Sequence, residues 1–133
     1  MKYMLDTNMC IYLIKRKPHQ VLEKFQTLSA GDISLSTVTV AELQYGIAKS
    51  QRPQQNQTAL DLFLAPLVIA DFDSAAARQY GQIRAELEQM GTPIGAYDLL
   101  IAGHARSLNA TLVTNNTREF ARVSDLKMEN WIT

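Results

Sequence analysis

Acidic and amide side chains stand at the ends of the segments that are expected to form secondary structure. Asp6 closes the first apolar run, Glu42 lies in the first turn of an expected helix, and Asp98 begins another helix. Asn116 and Glu119 follow the apolar run near the end of the chain. Because the carboxyl ends of parallel strands open onto one edge of a sheet, these five side chains are expected to converge in one pocket.

Three carboxylates held about 6 Å apart would repel each other by roughly 3 kcal/mol per pair at an effective dielectric constant of about 20. A bound cation or raised pKa values would relieve that repulsion. Oxygen ligands without histidine or cysteine select a hard ion, here Mg²⁺ or Mn²⁺. Such an ion lowers the pKa of a water nucleophile and stabilises charge on phosphate oxygens, so the pattern indicates phosphodiester hydrolysis.

Each of these side chains also has a purely structural explanation. Thr39 and Glu42 match a capping box, in which the acid reaches back to the cap amide. Asp98 in a first helical turn is favoured by the helix dipole. Asp6 with Asn8 fits an Asx turn that caps a short helix. Asn116 fits a turn, and Glu119 fits a solvated helix. Helix caps do not explain, however, why several acids face one crevice.

The elements that must position these side chains alternate along the chain. Strands are expected at residues 2–6, 33–38, 68–70 and 111–114, with a last one around 128–132. Helical spacing is expected at 10–15, after Pro18, at 39–49, at 58–67, from Asp73 or Ser74 to Gly91, and at 98–108. This alternation predicts an α/β fold with a mostly parallel sheet, formed by one domain that spans residues 1–133.

Composition limits the environment and the partners. Lys plus Arg and Asp plus Glu are 13 each, so overall charge indicates neither a nucleic acid nor a membrane as partner. Cys10 has no second cysteine for an intrachain disulfide, which favours a reducing, cytoplasmic setting. The longest apolar run, at 62–70, is broken by Pro66 and is shorter than the roughly 18 residues of a spanning helix.

Cationic and polar residues near the acids are candidates for contact with a substrate. The basic cluster Lys15, Arg16 and Lys17 follows the first acid by one short helix, and phosphate contacts from such groups would position a strand. Other candidates flank the remaining acids: Thr7, Asn8, Ser36, Arg84, Tyr97 and Arg118. Thr7 and Ser36 could hold a metal-bound water, although bonding to the local backbone explains them equally well. The stretch 45–67 could offer a partner groove, although most of it should be core.

Two histidines offer a different chemistry. A histidine acid–base pair would need His19 and His104 in one site. His19 sits beside the expected helix start at Pro18, whereas His104 lies on a helix beyond Asp98, so surface or supporting roles are favoured for both.

Four stretches together resemble the signature blocks of PIN-domain ribonucleases, and more closely those of the VapC toxins of bacterial toxin–antitoxin pairs. The stretches are Met4-Leu5-Asp6-Thr7-Asn8, Ser36 to Leu43 with Tyr45-Gly46, Ile94 to Asp98 with Ile101-Ala102, and Leu112 to Asn116 with Glu119-Phe120. The resemblance covers essentially the whole chain. It implies a three-layer PIN-like fold and an Mg²⁺- or Mn²⁺-dependent endoribonuclease.

The resemblance also implies roles for residues and partners. Asp6, Glu42 and Asp98 match the family's metal-binding acids, Asn116 stands where many members have a fourth acid, and Glu119 stands where an acid often precedes Phe. The implied substrate is structured RNA, with the anticodon region of initiator tRNA as the target of similar members. A VapB-type antitoxin would neutralise the protein, which would be a homodimer and form a higher assembly with the antitoxin. The alternative is a non-catalytic RNA- or protein-binding module on the same fold.

Overall fold

The computed structural model describes residues 2–132 as short strands alternating with helices. The strands are β1 (Tyr3–Leu5), β2 (Ile33–Ser36), β3 (Val68–Ala70), β4 (Thr111–Val113) and β5 (Met128–Glu129). The helices are α1 (Thr7–Lys15), α2 (His19–Gln26), α3 (Thr37–Ala48), α4 (Pro53–Leu64), α5 (Ser74–Gln89), α6 (Ala96–Ser107) and α7 (Thr117–Phe120). A 3-10 turn at Ala30–Asp32 leads into β2.

The strands form one sheet in the order β3-β2-β1-β4-β5, and every neighbouring pair is parallel. The predicted α/β architecture with a parallel sheet is therefore confirmed. β1 is central, with the chain's next strand on one side and a much later strand on the other. Such a reversal of strand order opens a crevice at the carboxyl edge of the sheet, where ligands bind in open α/β folds.

Helices cover both faces of the sheet, which gives three layers. Side chains alternate along β1, so Leu5 packs with α1 to α4 on one face and Met4 packs with α5 to α7 on the other. β4 repeats this alternation with Val113 and Leu112. The central strand β1 is apolar throughout and buried, because both faces of a parallel sheet are covered.

Several helix boundaries differ from the sequence-based prediction. α1 begins at Thr7 instead of residue 10, because the Asp6 side chain accepts the Met9 N–H and caps the helix. α3 begins at Thr37 instead of Thr39, because Ser36 caps it. Within residues 2–132, no helix is long and apolar enough to cross a bilayer.

Candidate active site

Asp6 lies at the centre of the carboxyl edge, directly after β1. Its carboxylate accepts hydrogen bonds from the Met9 N–H at 2.9 Å and from the Thr114 side chain, and the residue is only 7% exposed. Burial raises the pKa of Asp6, the bonds to Thr114 and Met9 lower it, and the charge of Glu42 raises it. The capping explanation is thus correct locally, yet this cap is also held close to a second acid.

Glu42 is not part of a capping box. Since α3 starts at Thr37, Glu42 lies in the second turn, and its Oε1 accepts the Thr7 hydroxyl at 2.7 Å. That bond joins the helices that follow β1 and β2. Thr39, the expected cap, is buried, and its hydroxyl has no hydrogen-bond partner among the described residues. The capping-box explanation, which was the structural alternative to a metal-binding role for Glu42, is therefore wrong.

Asp98 lies half-buried in the first turn of α6, after the cap residue Gly95. Burial is the largest cause that raises its pKa to about 6, followed by a hydrogen bond with Glu119 and the negative charges of Glu119, Asp6 and Glu42. A carboxyl–carboxyl hydrogen bond requires one proton between the two groups. The pKa of Asp98 is therefore raised by the charges of Glu119, Asp6 and Glu42, which is typical of acids that share one site.

Asn116 bridges two of these acids. Its Nδ2 donates to Glu119 Oε2 at 3.1 Å and to Asp98 Oδ2 at 3.4 Å. The Asn116 N–H donates in turn to the Thr114 hydroxyl at 2.9 Å. The amide thus supplies donors at a point where a fourth acid would add further repulsion.

The carboxylates of Asp6, Glu42, Asp98 and Glu119 form the acidic site. Their donor chemistry fits a hard divalent cation, because all are oxygen ligands and no histidine or cysteine among the described residues joins them. Within residues 2–132, no three of these side chains are arranged to hold a metal ion as they stand. The Glu42 carboxylate is bonded to Thr7 and the Asp98 carboxylate to Asn116, so these side chains would have to reorient to place their oxygens on one ion.

Comparison with known proteins shows the family of the chain. The PIN domain family matches residues 3–126. The "tRNA(fMet)-specific endonuclease VapC" of Shigella flexneri is 50% identical over 98% of both chains, and "Ribonuclease VapC2" of Rickettsia felis is 49% identical over 98% of both. The crystal structure of VapBC2 from Rickettsia felis, bound to a promoter DNA fragment, superimposes with a TM-score of 0.92 at 48% identity and covers 98% of this chain and 99% of that one.

The chain belongs to the VapC ribonucleases of the PIN-domain family. The resemblance carried by the four sequence blocks is therefore confirmed, together with the fold that it implies. In this VapC-family chain three blocks cover the carboxyl ends of β1, β2 and β4 together with the helices that follow them, and one block covers the start of α6. These blocks contain the four acids.

Other predicted site residues lie around the acids in different environments. Thr7 binds Glu42, whereas Asn8 is exposed beside it. Tyr97 is 58% exposed next to Asp98. The remaining basic candidates are exposed: Lys15, Arg16, Lys17, Arg84 and Arg118. Arg84 donates to Glu88 Oε2 at 3.1 Å and to the Tyr80 hydroxyl at 2.8 Å, so it is held along α5.

Ser36 and the two histidines do not line the acidic site. Ser36 is fully buried, and its hydroxyl lies 2.7 Å from Nδ1 of the buried His104. His19 is exposed on α2 and pairs with Glu23 at 2.8 Å. The two histidines therefore occupy unrelated environments, and a histidine acid–base pair is absent from the described residues.

Thr114 contacts the site, although the sequence pattern alone does not indicate it. It is fully buried at the end of β4, beside β1, and it links Asp6 to the Asn116 backbone. The one feature of the sequence that could have indicated Thr114 is its position directly after the apolar stretch that forms β4. Tyr12 is a similar case, because its hydroxyl accepts from Asn115 Nδ2 at 3.1 Å and ties the β4–α7 loop to α1.

A groove of about 340 Å³ between α1, α3 and α4 adjoins the acidic site. Thr7 and Glu42 line one part of it, together with Gly46 and Lys15. Its apolar wall consists of Ile11, Ile14, Leu43, Ile47, Ala59 and Leu60. We call it the antechamber groove. It is a mainly apolar surface that extends to Glu42 of the acidic site.

Proposed function

We propose that this chain is a metal-dependent endoribonuclease toxin that cleaves structured RNA, with the anticodon region of initiator tRNA as substrate. The observation that carries the proposal is the meeting of four carboxylates in one electrostatically linked site at the carboxyl edge of the sheet. The substrate is supported by the Shigella flexneri relative, a tRNA(fMet)-specific endonuclease that is 50% identical to this chain. We propose that the whole chain, residues 1–133, acts as one domain in the cytoplasm.

In this proposal Asp6, Glu42 and Asp98 would hold Mg²⁺ or Mn²⁺. The ion would supply an activated water and would stabilise negative charge on the scissile phosphate. The chain's own groups prepare the site. Thr7 holds one Glu42 oxygen. Thr114 and the Met9 N–H donate to Asp6, and these bonds offset part of the rise in its pKa that burial causes.

Asn116 and Glu119 complete the proposed catalytic set. The Asn116 amide orients both Asp98 and Glu119. Glu119 raises the pKa of Asp98 through a hydrogen bond and through its negative charge. We propose that these two carboxyl groups take part in proton transfer during cleavage.

We assign contact with RNA to residues around the acids. Lys15, Arg16 and Lys17 are exposed at the end of α1, and Arg84 and Arg118 are exposed on α5 and α7. Contacts from these groups to phosphates would fix the register of the RNA without reading its sequence. The exposed ring of Tyr97 adjoins Asp98 and would stack on an unpaired base. Asn8 is exposed and would offer a polar contact to the RNA strand.

We propose that a VapB-type antitoxin neutralises the protein by laying an apolar segment in the antechamber groove. Crystal structures from Rickettsia felis and Salmonella typhimurium contain VapBC complexes of similar chains. Because Thr7 and Glu42 line the groove, a bound segment would reach the acidic site and block it. We further propose that the toxin is a homodimer and forms a higher assembly with the antitoxin.

A non-catalytic RNA- or protein-binding module is the alternative. The Asp6 cap favours it, because that carboxylate has a structural task in any case. Such a module would be indifferent to chelator and would leave bound RNA intact.

The experiment that separates the two uses purified toxin, freed of antitoxin, on total tRNA with Mg²⁺ or Mn²⁺. Sequencing of the fragment ends should find cuts in the anticodon loop of initiator tRNA and few in elongator methionine tRNA, which is the matched control. Bound but uncut tRNA would support the binding module. Cuts spread over all tRNAs would keep the nuclease but refute the substrate.

A further inference from the structure

His104 is a buried polar residue that the proposed chemistry does not use. It is 1% exposed on α6, and its Nδ1 lies 2.7 Å from the hydroxyl of Ser36. The Phe72 ring meets the imidazole at 79°, with 5.4 Å between ring centroids. The main-chain carbonyl of Asp71 accepts a hydrogen bond from the ring, and this bond raises the pKa of His104.

These contacts fix the tautomer of His104. Burial lowers its pKa, although the hydrogen bond to Asp71 and the charges of Asp71 and Asp73 oppose this, so the ring is neutral near pH 7. With its N–H directed to Asp71, the Nδ1 atom must accept, and Ser36 is the donor. The Ser36 oxygen in turn accepts the Val38 N–H at 3.1 Å and caps α3.

The hydrogen bond between Ser36 and His104 therefore joins the two helices that carry acids. Glu42 lies less than two turns along α3 from Ser36, and Asp98 lies less than two turns along α6 from His104. We call this contact between the start of α3 and α6 the junction. A second contact lies beside it, since the Phe72 N–H donates to the Thr37 hydroxyl at 3.1 Å. The loop after β3 is thus tied to both helices.

α6 is itself fixed at this turn. A Cβ at Gly103 would lie 2.7 Å from the Tyr80 backbone nitrogen, so only glycine permits the observed approach of α6 to α5. Because α6 is held against α5 on one side, the His104 bond on the other side sets where α3 begins. The start of α3 then sets the position of Glu42 relative to Asp98.

We infer that His104 is a positioning residue, which through Ser36 fixes the separation of Glu42 and Asp98 and thereby the affinity of the acidic site for a divalent cation. This inference rests on the proposed function, because it assigns the acidic site a metal. Groups that orient metal ligands without touching the metal commonly change affinity by about 10- to 100-fold when they are replaced. His104 would act less directly than such groups, because it contacts Ser36 at the start of α3 and not the ligand Glu42 itself.

Two substitutions at His104 separate positioning from packing. His104→Phe keeps the ring against Phe72 but removes both hydrogen bonds. His104→Asn loses ring volume but places a carbonyl oxygen at the site of Nδ1, where it can accept from Ser36. A packing role predicts that Phe is the better replacement, whereas a positioning role predicts that Asn is.

The readout is the dissociation constant for Mn²⁺, measured by electron paramagnetic resonance on full-length toxin, with kcat and KM alongside. For His104→Phe we expect affinity to fall by about 10-fold or more, with KM for RNA unchanged, and for His104→Asn we expect affinity near that of the wild type. Val21→Ala is the control, since it removes buried volume on α2, on the other face of the sheet, without touching α6, His104 or Ser36. It should lower the melting temperature and leave Mn²⁺ affinity unchanged.

Ser36→Ala keeps the inference testable if His104→Phe does not fold. Ser36→Ala should weaken Mn²⁺ binding, and where both fold, the double variant should be no weaker than the weaker single variant. Wild-type affinity in His104→Phe or in Ser36→Ala would overturn the inference, as would equal losses in His104→Phe and His104→Asn. A wild-type protein that binds no Mn²⁺ would instead overturn the proposed function.

Discussion

At the scale of one residue, the negative charge of Asp98 lowers the stability of the folded protein, although that charge is what a metal ligand needs. Burial and three neighbouring acids raise its pKa to about 6. The folded protein therefore binds more protons than the unfolded chain between the ordinary value of 3.8 and about 6. By linkage, the contribution of Asp98 to stability falls as pH rises through that window. An acid kept under such repulsion is typical of a functional site.

Asp98→Asn should therefore make the metal-free protein more stable at pH 7 while abolishing most RNA cleavage. The amide cannot ionise, yet its oxygen can still accept from Asn116. Thermal unfolding in chelator across pH 4 to 7 should show a smaller loss of stability for the variant than for the wild type. Identical pH profiles for the two proteins would contradict the raised pKa of Asp98.

The residue types of the site could be predicted from the sequence, but their contacts could not. Asp6, Glu42 and Asp98 are visible because acids at strand and helix ends have few structural reasons to cluster. Thr114 is not visible, since a threonine that ends a strand is ordinary until β1 and β4 are known to pair. His104 is likewise indistinguishable from a surface histidine until α6 packs against the start of α3.

At the scale of elements, the beginning of α3 decides the role of Glu42. Ser36 and Thr39 are both good cap residues, and Glu42 stands three residues after Thr39, so local spacing favours the later start. The earlier start wins because Ser36 ends β2 and has a buried partner on α6. Local sequence cannot reveal that tertiary contact. The order and type of the elements follow the sequence pattern well, because both depend on apolar periodicity.

The antechamber groove provides a prediction about the antitoxin. Gly46→Phe should fill the groove and weaken binding of the cognate VapB-type antitoxin by about tenfold or more, which is about 1.4 kcal/mol. A Cβ at Gly46 meets nothing within 4 Å, and a helical glycine is a poor helix former, so α3 should remain intact. Isothermal titration calorimetry with purified antitoxin measures the effect.

Gly81→Phe is the matched control for this prediction. Gly81 also lies in a helix and has open space at its Cβ, but it is on α5, away from the groove. The control should bind antitoxin as the wild type does. Equal weakening by both substitutions, or none by Gly46→Phe, would show that the antitoxin docks elsewhere.

At the scale of the whole molecule, a chain with no net charge must bind RNA through local clusters. Each phosphate contact contributes about 0.7 to 0.9 to the slope of log affinity against log salt. Replacing Lys15, Arg16 and Lys17 together by Gln should therefore reduce that slope by about 2 to 3. Filter binding of tRNA to the Asp98→Ala protein at several salt concentrations measures it without cleavage.

The control for the charge prediction removes the same number of charges elsewhere. Lys24, Arg78 and Lys127 are exposed on other parts of the surface, and their triple Gln variant should keep the wild-type slope. If the two triple variants behave alike, the cluster at the end of α1 is not a landing site for RNA.

The central claim is that the acidic site cleaves RNA with the help of a divalent cation. The most direct measurement is single-turnover cleavage of initiator tRNA by the wild type and by Asp6→Asn, first in chelator and then after Mg²⁺ or Mn²⁺ is restored. We expect discrete fragments from the wild type only when metal is present, and a rate lower by orders of magnitude for a folded Asp6→Asn. Cleavage that persists in chelator, or full activity in Asp6→Asn, would contradict the claim.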